Sequence, residues 1–196
     1  MPLFRVDTVG DDARLALWQM TAEDDALPVP AHSEAWSVHS PWRRREILVT
    51  YALLRELTGD ATLRVAHDAS RKPVVEGWHV SISHTKGWGA VIVSRGHEVA
   101  VDIEYQSDRV SRVAKRFIRP DEDGDGLSRQ LISWSAKETV YKFYSEQDLR
   151  FFEMRLQPYV LANRGELRVE NLKAGRVLPV SYELNDDFVL TYAVGA

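Results

Sequence analysis

The chain has 196 residues, of which 44% are hydrophobic, and this content supports a sizeable core in one domain or in two small packed lobes. It contains no cysteine, so disulfides, thiol nucleophiles and thiolate zinc sites are excluded, and carboxylates, histidines and water remain as metal ligands. The net charge of −4 argues against a protein that coats nucleic acid, and the lack of a long apolar run predicts a cytoplasmic protein without a membrane partner.

The first predicted helix spans residues 42–57. Ser40 is suited to the N-cap, Pro41 to the first turn and Gly59 to the end of this helix. Apolar residues recur through the segment at helical spacing, which predicts that one face of the helix packs on a core.

Three strands are predicted next. The alternation in 78–83 and the apolar run 90–94 indicate a hairpin whose turn covers the glycine-containing segment 85–89. A further strand is predicted over 99–105.

The second half of the chain repeats this order of helix and strands. Residues 109–119 predict a basic amphipathic helix, and residues 131–144 predict another helix. Short strands are predicted over 167–169, 177–184 and 188–194.

This shared order predicts an α+β fold made of two pseudo-twofold-related halves, 1–100 and 101–196, packed tightly as one unit. Each half is expected to be a small antiparallel sheet packed against a helix. A ligand is expected in the cleft between the halves, because ligands prefer such clefts.

Two acidic residues stand out on the predicted strand 99–105. Asp102 and Glu104 lie two residues apart, so their side chains share one face of the strand and can converge on one cation. A solvated strand face with two surface acids explains the same spacing.

The predicted helix 131–144 carries a second set of candidates. Trp134, Glu138 and Lys142 are spaced by four residues and therefore lie along one face, with Lys137 on an adjacent stripe. Glu138 is a candidate metal ligand or general base. A surface ion pair between Glu138 and Lys142 is the alternative, because such pairs are frequent on helices.

Three basic features are candidates for phosphate binding. His84 follows the predicted strand 78–83 just before a glycine turn, and two basic runs, Arg43-Arg44-Arg45 and Arg71-Lys72-Pro73, precede a helix and a strand. A histidine that caps a hairpin, and charge runs on solvated faces, are the alternatives.

Taken in order, four segments resemble one family: Arg71-Lys72-Pro73, Ser81-Ile82-Ser83-His84, Val101-Asp102-Ile103-Glu104, and Trp134-Ser135-Ala136-Lys137-Glu138 with Lys142. The chain resembles a 4′-phosphopantetheinyl transferase of the surfactin-synthetase-activating type. The resemblance runs over residues 43–142 and depends on the ordered combination, which is far more specific than any one segment.

The resemblance implies a monomer that binds coenzyme A and Mg²⁺ between its halves, with Asp102, Glu104 and Glu138 as metal ligands. The implied reaction is attack by a serine hydroxyl of an apo acyl or peptidyl carrier protein on the β-phosphate of coenzyme A, which releases adenosine 3′,5′-bisphosphate. Glu138 is then the general base, directly or through water, and Lys142 neutralises or protonates the departing phosphate.

The same resemblance implies the contacts to coenzyme A. The residues expected to contact coenzyme A are Lys72, His84 and Lys137. Its 3′-phosphate is expected to bind one or more of Arg43, Arg44 and Arg45.

The chain departs from the family pattern in two places. Arg71 stands where the family usually has glycine before Lys-Pro, and Thr50-Tyr51 stand where many members have an arginine inside the first helix. We expect the arginine run 43–45 to compensate.

The resemblance also implies a function for the predicted basic helix over 109–119, namely docking of the carrier protein. Carrier proteins present an acidic helix beside the modified serine, so the expected docking residues are the basic ones of this segment, Arg109, Arg112, Lys115, Arg116 and Arg119.

Two other functions stay open on the sequence: a non-catalytic coenzyme A-binding sensor, and a magnesium-dependent phosphohydrolase that uses water as the nucleophile.

Overall fold

Two long α-helices and three antiparallel sheets make up the α+β fold of the computed structural model, which describes residues 3–195. The predicted α+β class is confirmed. The chain divides into two compact units. One contains the described residues up to Val99 together with 194–195, and the other runs from Ala100 to Ala193.

The first unit contains a four-stranded sheet, one α-helix and a two-stranded sheet. Its elements in chain order are β1 (Leu3–Val9), β2 (Ala13–Gln19), α1 (Pro41–Thr58), β3 (Ala66–His67), β4 (Pro73–Val74), β5 (His79–Thr85) and β6 (Trp88–Ser94). The large sheet has the order β1-β2-β6-β5, and β3 pairs with β4. Two 3-10 helical turns, Ala22–Ala26 and Glu34–Trp36, lie between β2 and α1.

Helix α1 forms where the sequence predicts it. The Ser40 side chain accepts a hydrogen bond from the Arg43 backbone N–H at 3.3 Å, and Pro41 occupies the first turn. The helix ends at Gly59, whose φ of 74° is left-handed and whose N–H donates to the Arg55 carbonyl. Its buried face packs against β2 and β6.

The hairpin β5–β6 differs from its predicted boundaries. The predicted hairpin is confirmed, but Thr85 pairs with Trp88, so the turn is shorter than the predicted segment 85–89 and consists of Lys86 and Gly87. A two-residue turn with positive φ at its glycine, here 80°, matches the twist of the two strands. His84 is therefore a strand residue and does not cap the hairpin.

The second unit is a five-stranded sheet packed on one α-helix. Its elements are β7 (Val99–Tyr105), α2 (Leu127–Phe143), β8 (Met154–Leu156), β9 (Arg164–Asn171), β10 (Arg176–Leu184) and β11 (Phe188–Val194), although the end residues Val99 and Val194 belong to the first unit. The strand order is β7-β11-β10-β9-β8, and α2 packs against β8, β9 and β10. Short 3-10 turns, Ser145–Gln147 and Phe151–Glu153, follow α2.

The predicted basic amphipathic helix over 109–119 is wrong. The segment forms two 3-10 turns, Asp108–Arg112 and Ala114–Arg116. Val113 separates them with a φ of −117°, outside the helical range, and donates its N–H to the Val110 carbonyl three residues earlier. The fully buried Phe117 anchors the end of the segment against Trp134, at 5.1 Å between ring centroids.

No helix within residues 3–195 combines the length and the apolar character needed to span a membrane.

Candidate functional site

Asp102 and Glu104 project from β7 toward α2, and each carboxylate is held by a side chain of that helix. Lys142 Nζ donates to Asp102 Oδ1 at 2.7 Å and to the Val101 carbonyl at 2.9 Å. Trp134 Nε1 donates to Glu104 Oε1 at 2.9 Å. Asp102 is only 4% exposed, so this residue is not an acid on a solvated strand face.

Glu138 lies between these two contacts on the same face of α2, four residues after Trp134 and four before Lys142. Its carboxylate makes no hydrogen bond or ion pair within the described part of the chain, and Lys142 pairs with Asp102 instead. The surface pair of Glu138 and Lys142 is therefore not formed. We name Asp102, Glu104, Glu138 and Lys142 together the acidic site.

The electrostatics of the acidic site act most strongly on Glu138. Burial and then repulsion from the Asp102 carboxylate raise the pKa of Glu138 to about 7, with Glu104 adding to the rise and Lys142 opposing it. A half-buried carboxyl with a pKa near neutrality is able to accept and release a proton under physiological conditions.

A buried chain of hydroxyl groups is hydrogen-bonded to the Asp102 carboxylate. Ser135 Oγ donates to Asp102 Oδ2 at 2.9 Å and lies 2.9 Å from Thr191 Oγ1, which in turn lies 2.6 Å from Thr139 Oγ1. All three hydroxyl-bearing residues are buried. Sequence reasoning missed this network, although Ser135 and Thr139 are spaced by four residues on α2 and so share a face.

Two cavities border the acidic site within the second unit. One of about 330 Å³ is lined by Glu104 and Trp134 together with an apolar wall and one basic rim residue, namely Val110, Val113, Leu131 and Arg109. The other, also about 330 Å³, is lined by Glu138 and by Tyr141, Leu149, Arg150, Phe151 and Met154.

Lys137 lies apart from the acidic site. It is completely buried, and its Nζ donates to the Phe117 carbonyl and to Glu122 Oε2, each at 2.7 Å. Burial lowers the pKa of Lys137, whereas its pairing with Glu122 works in the opposite direction. Because no part of this side chain reaches the surface, the structure offers no support for the predicted contact of Lys137 with coenzyme A, and we leave it out of the proposed binding set.

A separate polar pocket of about 200 Å³ lies in the first unit. We name it the basic pocket after four of its lining residues, Arg43, His67, Arg71 and His84; Glu34, Thr50, Tyr51 and Pro73 also contribute. Thr50 Oγ1 donates to the Glu46 carbonyl at 2.8 Å and therefore accepts from His84 Nε2 at 2.9 Å. This assignment places a proton on His84 Nε2.

The arginine run at the start of α1 is divided among different partners. Arg45 binds the Asp25 carboxylate with two nitrogens at 3.0 and 2.7 Å and lowers the pKa of that carboxyl. Arg44 reaches the Asp25 carbonyl at 3.4 Å. Arg43 is the member of the run that lines the basic pocket, where it also pairs with Glu46 at 2.9 Å.

Lys72 is not part of the lining of the basic pocket. Its Nζ pairs with Glu98 at 2.5 Å, and the same carboxylate lies 3.2 Å from His79 Nδ1. The neighbouring Arg71 does line the pocket, in a left-handed backbone conformation with φ 67°.

Four of the five predicted docking cations are exposed on the 3-10 turns of the second unit: Arg109, Arg112, Lys115 and Arg116. Arg119 differs, because it binds Asp121 at 2.8 Å and also donates to the Phe152 carbonyl.

Comparison with known proteins adds no identification. No protein-family model and no curated protein matches this chain. Across residues 3–195, no group of three or more histidine, aspartate or glutamate side chains is arranged so that it could hold a metal ion. The resemblance to phosphopantetheinyl transferases therefore depends on the four sequence segments.

Proposed function

We propose that this protein is a 4′-phosphopantetheinyl transferase that moves the phosphopantetheine arm of coenzyme A onto a serine of an apo acyl or peptidyl carrier protein. The observation that carries the proposal is the acidic site. Trp134 and Lys142 hold Glu104 and Asp102, while Glu138 has no partner among the described residues and a pKa near neutrality.

The acidic site is suited to a Mg²⁺ ion that also binds the phosphates of the substrate. This cation is usually held by one or two carboxylates, with substrate phosphates and water completing an octahedron, so a full cage of protein ligands is not required. Asp102, Glu104 and Glu138 supply oxygen atoms, and the repulsion that raises the pKa of Glu138 is relieved by a cation. When bound, Mg²⁺ supplies positive charge to the pyrophosphate of coenzyme A.

Glu138 is the proposed general base. In its ionised form it accepts the proton of the carrier serine hydroxyl as the serine oxygen bonds to the β-phosphorus. The bond between that phosphorus and the bridging oxygen breaks, and adenosine 3′,5′-bisphosphate leaves. Lys142, held by Asp102 and the Val101 carbonyl, places a positive charge where the leaving phosphate gains negative charge.

The basic pocket is the proposed site for the nucleotide part of coenzyme A, through Arg43 and His84. Arg44, Arg45 and Lys72 have other partners and are given no direct role. We also propose that the fold consists of two pseudo-twofold-related halves and that coenzyme A binds in a cleft between them.

The carrier protein is proposed to dock on the exposed cations of the 3-10 turns, Arg109, Arg112, Lys115 and Arg116. The neighbouring cavity at Val110 and Val113 is apolar and is rimmed by Arg109. An acidic helix with one apolar side chain complements this combination of charge and cavity.

Chromatography of the nucleotide products separates this proposal from its alternatives. The protein is incubated with coenzyme A and Mg²⁺, alone, with an apo carrier, or with the same carrier whose serine is replaced by alanine. We expect adenosine 3′,5′-bisphosphate only with the intact carrier. Nucleotide release in all three reactions would identify a phosphohydrolase, and coenzyme A binding without release, across carriers of several pathways, would identify a sensor.

A further inference from the structure

Arg71 has a backbone conformation that disfavours residues with a Cβ atom. Its φ is 67°, and the other non-glycine residue with positive φ within residues 3–195 is Asp148. In this region the Cβ atom crowds the following carbonyl, so the position suits glycine better than arginine. An arginine at such a position points to a use for its side chain.

The turn around Arg71 is rigidly built and enforces this conformation. Asp68 Oδ1 accepts hydrogen bonds from Ser70 N at 2.8 Å, Ser70 Oγ at 2.7 Å and Lys72 N at 2.9 Å. Two backbone bonds close the turn, from Arg71 N to the Asp68 carbonyl and from Asp68 N to the Lys72 carbonyl, both at 3.0 Å. Asp68 therefore organises the turn whichever side chain stands at position 71.

The Arg71 side chain has no role in this turn. It is exposed, it makes no hydrogen bond or ion pair to any described residue, and it lines the basic pocket beside Arg43, His67 and His84. Arg43 already has Glu46 at 2.9 Å and Glu34 at 3.9 Å. Arg71 is thus a pocket cation without a counterion among the residues that the structure describes.

The composition of the pocket indicates the ligand chemistry. Its lining has two arginines and two histidines against a single carboxylate, Glu34, so cationic side chains outnumber the acid and the pocket favours a directly bound phosphate over a metal-bridged one. A terminal phosphate monoester carries up to two negative charges, and its oxygens match the planar fork of an arginine.

We propose that Arg71 is a specificity-determining residue that selects adenine nucleotides carrying a phosphate monoester on the 3′ oxygen of the ribose, as coenzyme A does. The turn that Asp68 organises places this guanidinium in the lining of the pocket. The inference rests on the proposed function for the identity of the nucleotide.

Calorimetric titration of the full chain tests this role without any transfer reaction. The probes are adenosine 3′,5′-bisphosphate and adenosine 5′-monophosphate, which differ by the 3′-phosphate. Arg71→Asn removes the charge and keeps a residue that tolerates positive φ. We expect it to weaken bisphosphate binding at least tenfold, to leave monophosphate binding unchanged, and to keep or raise Tm. Arg95→Gln is the matched control, because Arg95 stacks on Trp78 and lies outside the pocket lining.

Each result supports or overturns the inference. Unchanged bisphosphate affinity in Arg71→Asn overturns it and leaves the transferase proposal standing if nucleotide release still requires a carrier. Equal losses for both nucleotides together with a lower Tm also overturn it, since they indicate a structural role. If the unaltered protein binds neither nucleotide, both proposals fail. Selective loss of bisphosphate binding in a protein without transfer activity supports the inference while removing the transferase proposal.

Discussion

Asp102 and Glu104 in the acidic site are held by side chains of α2, whereas Arg71 in the basic pocket stands on a short turn with its guanidinium exposed. The acidic site is a product of core packing, because a strand and a helix bring its members together and a buried hydroxyl network fixes one of them. In the basic pocket, a local turn and one helix end present cations to solvent.

Substitutions in the two regions therefore have different consequences. Removing Asp102 or Lys142 from the acidic site leaves a charged partner behind, so stability and activity fall together. Removing a cation of the basic pocket disturbs little of the fold, so binding changes alone.

The largest expected effect concerns the proposed general base. Glu138→Gln keeps the size of the side chain and removes its ability to accept a proton, and we expect the single-turnover transfer rate to fall by about a factor of 10³. Quenched-flow measurement with an apo carrier provides the rate. Glu146→Gln is the control, since Glu146 lies in an exposed turn after α2, and an equal loss there would remove Glu138 from the mechanism.

The next effect is on stability. Lys142→Met leaves the buried Asp102 carboxylate without its cationic partner, and we expect the free energy of unfolding to fall by about 2 kcal/mol, because Lys142 is partly exposed. Urea denaturation measures the change. Lys115→Met, at an exposed position, is expected to alter stability by less than about 0.5 kcal/mol. A similar small change for Lys142→Met would contradict the described ion pair.

The pH dependence of stability provides a third test. The Glu138 pKa rises from 4.5 to about 7 on folding, so between these values the folded state holds a proton that the unfolded state has released. Stability is therefore lost as the pH rises through this window, by on the order of 2 kcal/mol. In chelator-treated buffer, Glu138→Gln is expected to be the more stable protein above pH 7 and to lose that advantage near pH 4.5.

Thermal unfolding of both proteins across this range measures the difference. If stability depends on pH in the same way in both proteins, Glu138 titrates normally and the acidic site does not raise its pKa.

The smallest expected effect concerns the carrier. Reversing Arg109 and Arg112 to glutamate should raise the KM for the carrier on the order of tenfold and leave coenzyme A affinity unchanged. Steady-state kinetics at low and high salt measure the effect, which high salt should reduce. Arg168→Glu on β9 is the control, and unchanged carrier kinetics in the double variant would exclude the docking surface.

Local signals explain the parts of the fold that the sequence predicted. The cap at Ser40, the left-handed glycine at position 59 and helical spacing defined α1 within one residue at each end. The strand Val99–Tyr105 was predicted with its observed bounds. The candidates Asp102, Glu104, Glu138 and Lys142 also came from spacing within single elements, which fixes the face on which each residue lies.

Contacts between distant segments explain what the sequence did not predict. The burial of Lys137 was not predicted, because its partners, Glu122 and the Phe117 carbonyl, lie 15 and 20 residues earlier in the chain. Lys72 pairs with Glu98, 26 residues away. Spacing gives no information about such partners.

The hairpin β1–β2 was not predicted at all. Its turn includes Gly10 at a φ of 60°, a signal present in the segment Gly10-Asp11-Asp12. Asp12 then accepts hydrogen bonds from Ser94 Oγ at 2.8 Å and Gly96 N at 2.8 Å, so the turn is fixed by residues more than eighty positions away.

Intact-mass spectrometry of an apo carrier protein, incubated with this protein, coenzyme A and Mg²⁺, shows whether the phosphopantetheine arm is transferred. The proposed function predicts a gain equal to one phosphopantetheine arm, which is lost when a chelator is added and when Glu138→Gln replaces the unaltered protein. The absence of any gain on carriers from fatty acid, polyketide and peptide synthesis, under conditions where coenzyme A is bound, would contradict it.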